Sequence, residues 1–194
     1  MMRLFVGVEL SQQVRQAAED VKRTLERQFG ETLRARWVPT DNMHLTVRFI
    51  GYVSDERGQP LVDALRPPMH VEPFDIALDG GGVFPPHGPP RVLWIGLKEG
   101  FASLQAIHHE LNARLRPLGF QPEDRPFSAH LTLARVKDAP RKSAALVRSA
   151  VRSIDVAEAR CHIGHATVFE SRLSPRGSTY TALIEIPLSS AKSG

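Results

Sequence analysis

Polar and apolar positions along this chain change period in an order that is spelled out twice. Positions 3–10 read as a strand. Behind Ser11, a hydroxyl suited to cap a helix, Val14, Ala17, Ala18, Val21, Leu25 and Phe29 recur at helical spacing until Gly30. A loop over 34–42, broken by Pro39, leads into a strand at 43–51. Ser54 or Asp55 then starts a helix covering Leu61, Val62 and Leu65, which Pro67 and Pro68 end. A further strand over 74–84 carries a run of three glycines, Gly80 to Gly82, a composition suited to a bulge or a close backbone approach.

Positions 84–91, Phe-Pro-Pro-His-Gly-Pro-Pro-Arg, are the one linker-like stretch, dense in residues that continue neither helix nor sheet. Beyond it the order starts again: strand 92–97, helix 101–118, strand 128–136, helix 142–154, strand 159–171. A last strand at 179–187 and a short tail at 189–194 finish the chain. The repeat predicts an internal duplication with pseudo-twofold symmetry, its halves at about 1–84 and 91–187. The fold class expected is α+β and bilobed: a duplicated unit whose two antiparallel sheets face a central cleft, with helices on the outside.

Each half places the same short sequence on its middle strand. Met43-His44-Leu45-Thr46-Val47-Arg48-Phe49 is echoed by Ala129-His130-Leu131-Thr132-Leu133-Ala134-Arg135. Strand alternation puts His44 with Thr46, and His130 with Thr132, on one face, while the intervening leucines point to an apolar core. Two such strands facing each other bring two imidazoles and two hydroxyls around one cavity. That set suits an anionic phosphorus centre: imidazole gives or takes a proton near neutral pH, and a hydroxyl donates to a phosphoryl oxygen.

Composition narrows the setting. The 194 residues suit one compact domain or two small interlocked lobes, and a formal net charge of +4, much of it from arginines spread along the chain, favours a polyanionic partner. The single cysteine, Cys161, rules out an internal disulfide and fits a reducing cytoplasm, where the chain is expected to act as a monomer. The apolar start is too short for a signal peptide, and no segment reaches the roughly 20 apolar residues of a membrane helix.

Other chemistry is weaker. His108 and His109 are neighbours in a helix and share no face. Cys161, His162 and His165 sit on one expected strand that points the two histidines apart, with no second cluster to complete a metal set, so no metal or other cofactor is expected. His70 and His87 lie in proline-flanked loops. The glycine run lacks the Lys-Ser/Thr of a phosphate-cradling loop, and no serine has a nucleophile-elbow context. Arg48 shares His44's parity, so it either lines the cleft or is a solvated or ion-paired surface arginine. Trp37 and Phe127, near the motifs, either stack on a nucleobase or pack in the core.

On these residues the chain resembles the 2H phosphoesterases, defined by paired His-x-Thr-x motifs, and within them the RNA 2′,3′-cyclic phosphodiesterases, also called 2′-5′ RNA ligases. The resemblance runs nearly end to end. It includes Arg3-Leu4-Phe5-Val6, Arg36-Trp37-Val38-Pro39 with Asn42, Pro90-Arg91-Val92-Leu93-Trp94, Pro126-Phe127, and Ser174-Pro175-Arg176-Gly177 with Tyr180. It implies one domain over 1–194 in which the chain crosses between two lobes. It further implies an activity on RNA ends, or small nucleotides, that carry a 2′,3′-cyclic phosphate. His130 is then the general base, His44 the general acid, and Thr46, Thr132 and Arg135 the phosphate-binding set; the product is a 2′-phosphate. Strict alternation turns Arg135 away from His130, so a bulge or a strand end has to bring it back. A non-catalytic nucleotide- or RNA-binding module with the same cleft is the competing reading.

Overall fold

The computed structural model describes residues 1–123, 125–174 and 177–190. Among the described residues nine strands and four helices follow in order: β1 (Met2–Glu9), α1 (Gln12–Phe29), β2 (Arg34–Trp37), β3 (His44–Val53), α2 (Asp55–Leu65), β4 (Phe74–Phe84), β5 (Val92–Glu99), α3 (Phe101–Leu115), β6 (Leu131–Asp138), α4 (Ala144–Arg152), β7 (Arg160–Ile163), β8 (His165–Ser174) and β9 (Gly177–Pro187). Ser11 caps α1 as its residue type dictates, its hydroxyl accepting from the Val14 N–H at 3.3 Å. The stripe from Val14 to Phe29 is buried.

The strands form two antiparallel sheets, ordered β3-β1-β8-β9 and β2-β6-β5-β4-β7. Each sheet combines two strands of one half with strands of the other: β8 joins the first-half pair β1 and β3, and β4 joins the second-half pair β5 and β6. Two helices cross as well. α1, which follows β1, packs against β6 and β7, while α3, which follows β5, packs against β3. The lobes therefore exchange elements, and neither half buries its own core. Leu4, Val6, Val8 and Leu45 in one sheet, and Leu93, Ile95, Leu131 and Leu133 in the other, are all at most 2% exposed.

Two expected boundaries change. The expected loop at 34–42 holds β2, an edge strand paired to β6, before a 3-10 turn at Thr40–Asn42 delivers β3. The expected single strand at 159–171 is two strands: β7 pairs with β4 in one sheet and β8 with β1 in the other, with Gly164 between them. A continuous apolar alternation gives no sign that its partners switch sheets at that residue. The last four positions of the expected tail, 191–194, lie outside the described residues.

Glycine is required where the sheets carry large rings. A Cβ on Gly82 would come within 2.2 Å of the Trp94 ring lying across it, which explains part of the glycine run on β4.

Candidate active site

Both motif strands carry a β-bulge at the same place. Gly7 pairs with Thr46 and Val6 with Arg48, so Val47 is the extra residue; Trp94 pairs with Thr132 and Leu93 with Ala134, so Leu133 is the extra residue. One inserted residue reverses the side-chain parity of everything beyond it. Arg135 is thereby turned to the face of His130 and Thr132. The matching position of the first strand is Phe49, which turns to the face of His44 and Thr46. Both side chains line one cavity of about 350 Å³, together with His44, Thr46, His130, Thr132, Arg3, Asn42, Ser171 and Tyr180.

The same reversal corrects the expectation for Arg48. It leaves the cleft face and is 4% exposed. Its Nε donates to Asn112 Oδ1 at 2.7 Å, its terminal nitrogens donate to the Phe49 and Gln121 carbonyls, and Glu123 lies 3.5 Å away. Arg48 is a strut between β3, α3 and the 121–123 segment. Trp37 packs partly buried against the core and is absent from the cavity wall, where its neighbour Val38 stands. Phe127 stacks on Phe101 at 5.9 Å and meets His108 edge-on at 4.7 Å, and it also lines an adjoining cavity.

The two imidazoles are held alike. His44 Nδ1–H donates to the Asn42 carbonyl and His130 Nδ1–H to the Ser128 carbonyl, each at 2.8 Å and each two residues upstream. With Nδ1 so engaged, a neutral ring carries its lone pair on Nε2, and His44 Nε2 lies 3.1 Å from the Thr46 hydroxyl that can donate to it. His44 is further fixed by rings: Phe5 stacks on it at 4.8 Å, and Tyr180 meets it edge-on at 4.9 Å. Asn42 is itself tied to β9, its amide donating to the Ser178 carbonyl at 2.7 Å. Gly7 leaves space beneath the ring; a Cβ there would stand 2.9 Å from the Leu45 carbonyl oxygen and 3.4 Å from His44 Cδ2. His130 has Phe84 edge-on at 5.0 Å and Trp94 at 6.2 Å.

Burial disfavours the imidazolium at both rings, and the Arg135 charge adds to the effect. His44 is pushed down to about 4, with Arg15 as a second repelling charge and the Asn42 carbonyl opposing the fall. His130 is also lowered, with the Ser128 carbonyl opposing. Without a ligand, both rings are therefore neutral at pH 7.

No carboxylate stands among the described residues of the cavity wall. The described residues do hold one group with metal-ligand chemistry, Glu9, His165 and Glu185, whose donor atoms lie within 4.8 Å of one another. The trio includes neither Cys161 nor His162, and His162 and His165 point apart as strand alternation expects. Because β7 and β8 belong to different sheets, His162 instead meets Asp75 at 2.8 Å, and His165 meets Glu9 and Glu185, each at 3.9 Å. The trio is partly exposed and is not part of the cavity wall.

The residues that sequence reasoning leaves out of the site are Phe49, Arg3, Ser171 and Gly7. Arg3 lies over the Phe49 ring at 4.8 Å and donates to Ser171 Oγ at 3.3 Å, so these three act as one wall. Phe49 reaches the site through the bulge, which alternation alone does not reveal, and Arg3, Gly7 and Ser171 through the pairing of β1 with β3 and β8.

Comparison with known proteins places this geometry in a wider group. The family model described as LigT like Phosphoesterase matches the chain twice, at residues 8–94 and 95–180, which is the duplication seen in the fold. A curated RNA 2′,3′-cyclic phosphodiesterase of Archaeoglobus fulgidus is 33% identical over 94% of this chain and 98% of its own. Another of that name, from Thermotoga maritima, is 31% identical over 95% of this chain and 94% of its own. The crystal structure of a Thermus thermophilus protein, TT0787, superposes with a TM-score of 0.78 at 29% identity, covering 96% of this chain and 97% of that one. With both halves matched and both motifs facing one cavity, the chain belongs to the LigT-like phosphoesterase family.

Proposed function

We propose that this chain hydrolyses 2′,3′-cyclic phosphates at RNA ends, or on small nucleotides, to 2′-phosphomonoesters by two-histidine acid/base catalysis. The observation that carries the reading is the pair of His-Thr motifs, on pseudo-equivalent strands, sharing one cavity with Arg135. His130 Nε2 takes a proton from water as the water oxygen bonds to phosphorus. The bond from phosphorus to the ribose 3′-oxygen breaks, and protonated His44 gives its Nε2 proton to that oxygen. Thr46, Thr132 and Arg135 hold the nonbridging oxygens as charge builds on them. With a 5′-hydroxyl in place of water, the same steps would form a 2′-5′ phosphodiester. One chain supplies both motifs and its single thiol, Cys161, is buried and free, which supports a monomer in a reducing cytoplasm. Among the described residues no helix is long and apolar enough to cross a membrane.

The donor set predicts turnover without a divalent ion, because imidazoles, hydroxyls and a guanidinium can carry every step and no carboxylate lines the cavity among the described residues. A cyclic-phosphate dinucleotide should be hydrolysed at an unchanged rate in excess EDTA. Loss of activity on chelation, restored by a metal ion, would contradict the mechanism, and binding of the dinucleotide without turnover would identify a binding module instead.

The depressed imidazoles set the pH dependence. In the free enzyme the base must be neutral and the acid protonated, and both groups titrate below the ordinary 6.5. Above 6.5 the protonated fraction of the acid falls about tenfold per pH unit, while at low pH the base is lost. The pH profile of kcat/KM should therefore peak below 6.5. Saturation with the anionic substrate favours the imidazolium, so the kcat profile should peak at higher pH than that of kcat/KM. Coincident profiles, or a kcat/KM maximum above about pH 8, would contradict this reading.

A further inference from the structure

The catalytic cavity adjoins a second one of about 870 Å³, which shares Thr46, Phe49 and His130 with it. At about 350 Å³ the first lies near the lower limit for ligand sites and does not hold two nucleotides. The walls of the second include Phe49, Phe84, Phe127 and Pro126, and its rim carries the exposed Arg91 and Arg125. The one carboxylate there among the described residues, Glu123, faces buried Arg48 at 3.5 Å, so part of its charge is already balanced. Arg91 is seated in the sheet framework: its N–H donates to the Phe84 carbonyl, its carbonyl accepts from Val136 N–H, and its Nη1 donates to the Lys137 carbonyl at 2.7 Å. Aromatic walls with basic groups at the rim are the combination that binds single-stranded nucleic acid, through base stacking and phosphate contacts.

The surface that adjoins the catalytic cavity at Arg3 and Ser171 is unsuited to a phosphate backbone. Beyond Arg3 and Ser171 the surface is lined by Asp55 and Glu170 as well as Arg172. Arg172 is already engaged by Glu170 at 3.2 Å, and the N-terminal ammonium by Asp55 at 2.8 Å. The negative and already paired groups on that side leave the Arg91 and Arg125 side as the route for a polyanion.

We propose that the second cavity receives the nucleoside preceding the cyclic-phosphate end of an RNA strand, with Arg91 and Arg125 against the connecting phosphate, making the enzyme selective for oligonucleotide ends over mononucleotides. This rests on the hydrolytic reading above and adds the substrate's length. The test compares a mononucleotide 2′,3′-cyclic phosphate with a tetranucleotide that ends in the same residue. The wild-type protein should show kcat/KM at least about tenfold higher for the tetranucleotide, with the steeper salt dependence of the two. The Arg91→Gln/Arg125→Gln double variant should lose that advantage and most of the extra salt dependence, while keeping the wild-type kcat/KM on the mononucleotide. Equal wild-type values for the two substrates, or a double variant that loses the same factor on both, would overturn the proposal while leaving the hydrolytic reading standing. Failure to turn over either substrate would overturn both.

Discussion

His44→Ala and His130→Ala are each expected to lower kcat/KM by roughly 10²–10⁴-fold, the range for a positioned general acid or base, in proteins that remain folded. Each ring is oriented through Nδ1 by a backbone carbonyl, so the lone pair of the neutral ring sits on Nε2, the nitrogen left for proton transfer. The double variant should lose far less than the product of the two single losses, because groups that act in one step fail together. Loss of the His44 ring also removes its stack on Phe5, worth about 0.5–1.5 kcal/mol, so a modest fall in Tm belongs to that variant. His108 is the control. It too is pushed down to about 4 by burial, with His109 and Arg48 as neighbouring charges, but it is 5% exposed, outside the cavity, and hydrogen-bonded to Asn112 at 2.9 Å. His108→Ala should cost stability and leave kcat nearly unchanged. Near wild-type turnover from folded His44→Ala or His130→Ala would reassign that ring to packing.

The second large effect is expected at Arg135. Arg135→Ala should lower kcat by about 10²–10³-fold, the loss typical of removing one preorganised donor to a developing oxyanion. Arg135→Lys should recover little of it, because an ammonium keeps the charge but cannot offer two parallel donors to the phosphate oxygens. Steady-state kinetics on one cyclic-phosphate substrate decide this. Unchanged kinetics in the lysine variant would place Arg135 outside the phosphate site despite its position on the wall.

Much of this site is legible in the sequence because it follows from local rules. His44 with Thr46, and His130 with Thr132, share a face through simple alternation, and their spacing of 86 residues repeats that of the surrounding elements. What alternation cannot supply is a change in its own count. The extra residues Val47 and Leu133 are ordinary β-branched and apolar strand formers, so nothing in their chemistry announces a bulge, yet they move Arg48 into the protein and Phe49 and Arg135 into the cleft. Arg135 needed such a device to reach the site, and the sequence carried that requirement without its location. The exchange of β4, β8, α1 and α3 between lobes is hidden for a different reason. Each element has the correct period for a core, and the period does not say whose core it joins. Likewise β7 and β8 are continuous in composition but part company at Gly164, which takes His165 away from His162 and towards Glu9 and Glu185.

One histidine on each motif strand is expected to act from opposite sides of a single bound phosphorus. Water then attacks in line with one ribose oxygen only, and a fixed pose gives one product. Phosphorus NMR of the products from an RNA 2′,3′-cyclic phosphate measures this directly. The expected product is the 2′-phosphomonoester, with the 3′-oxygen leaving towards His44; predominantly 3′-phosphate, or an even mixture of the two, would rule out this arrangement of the two histidines.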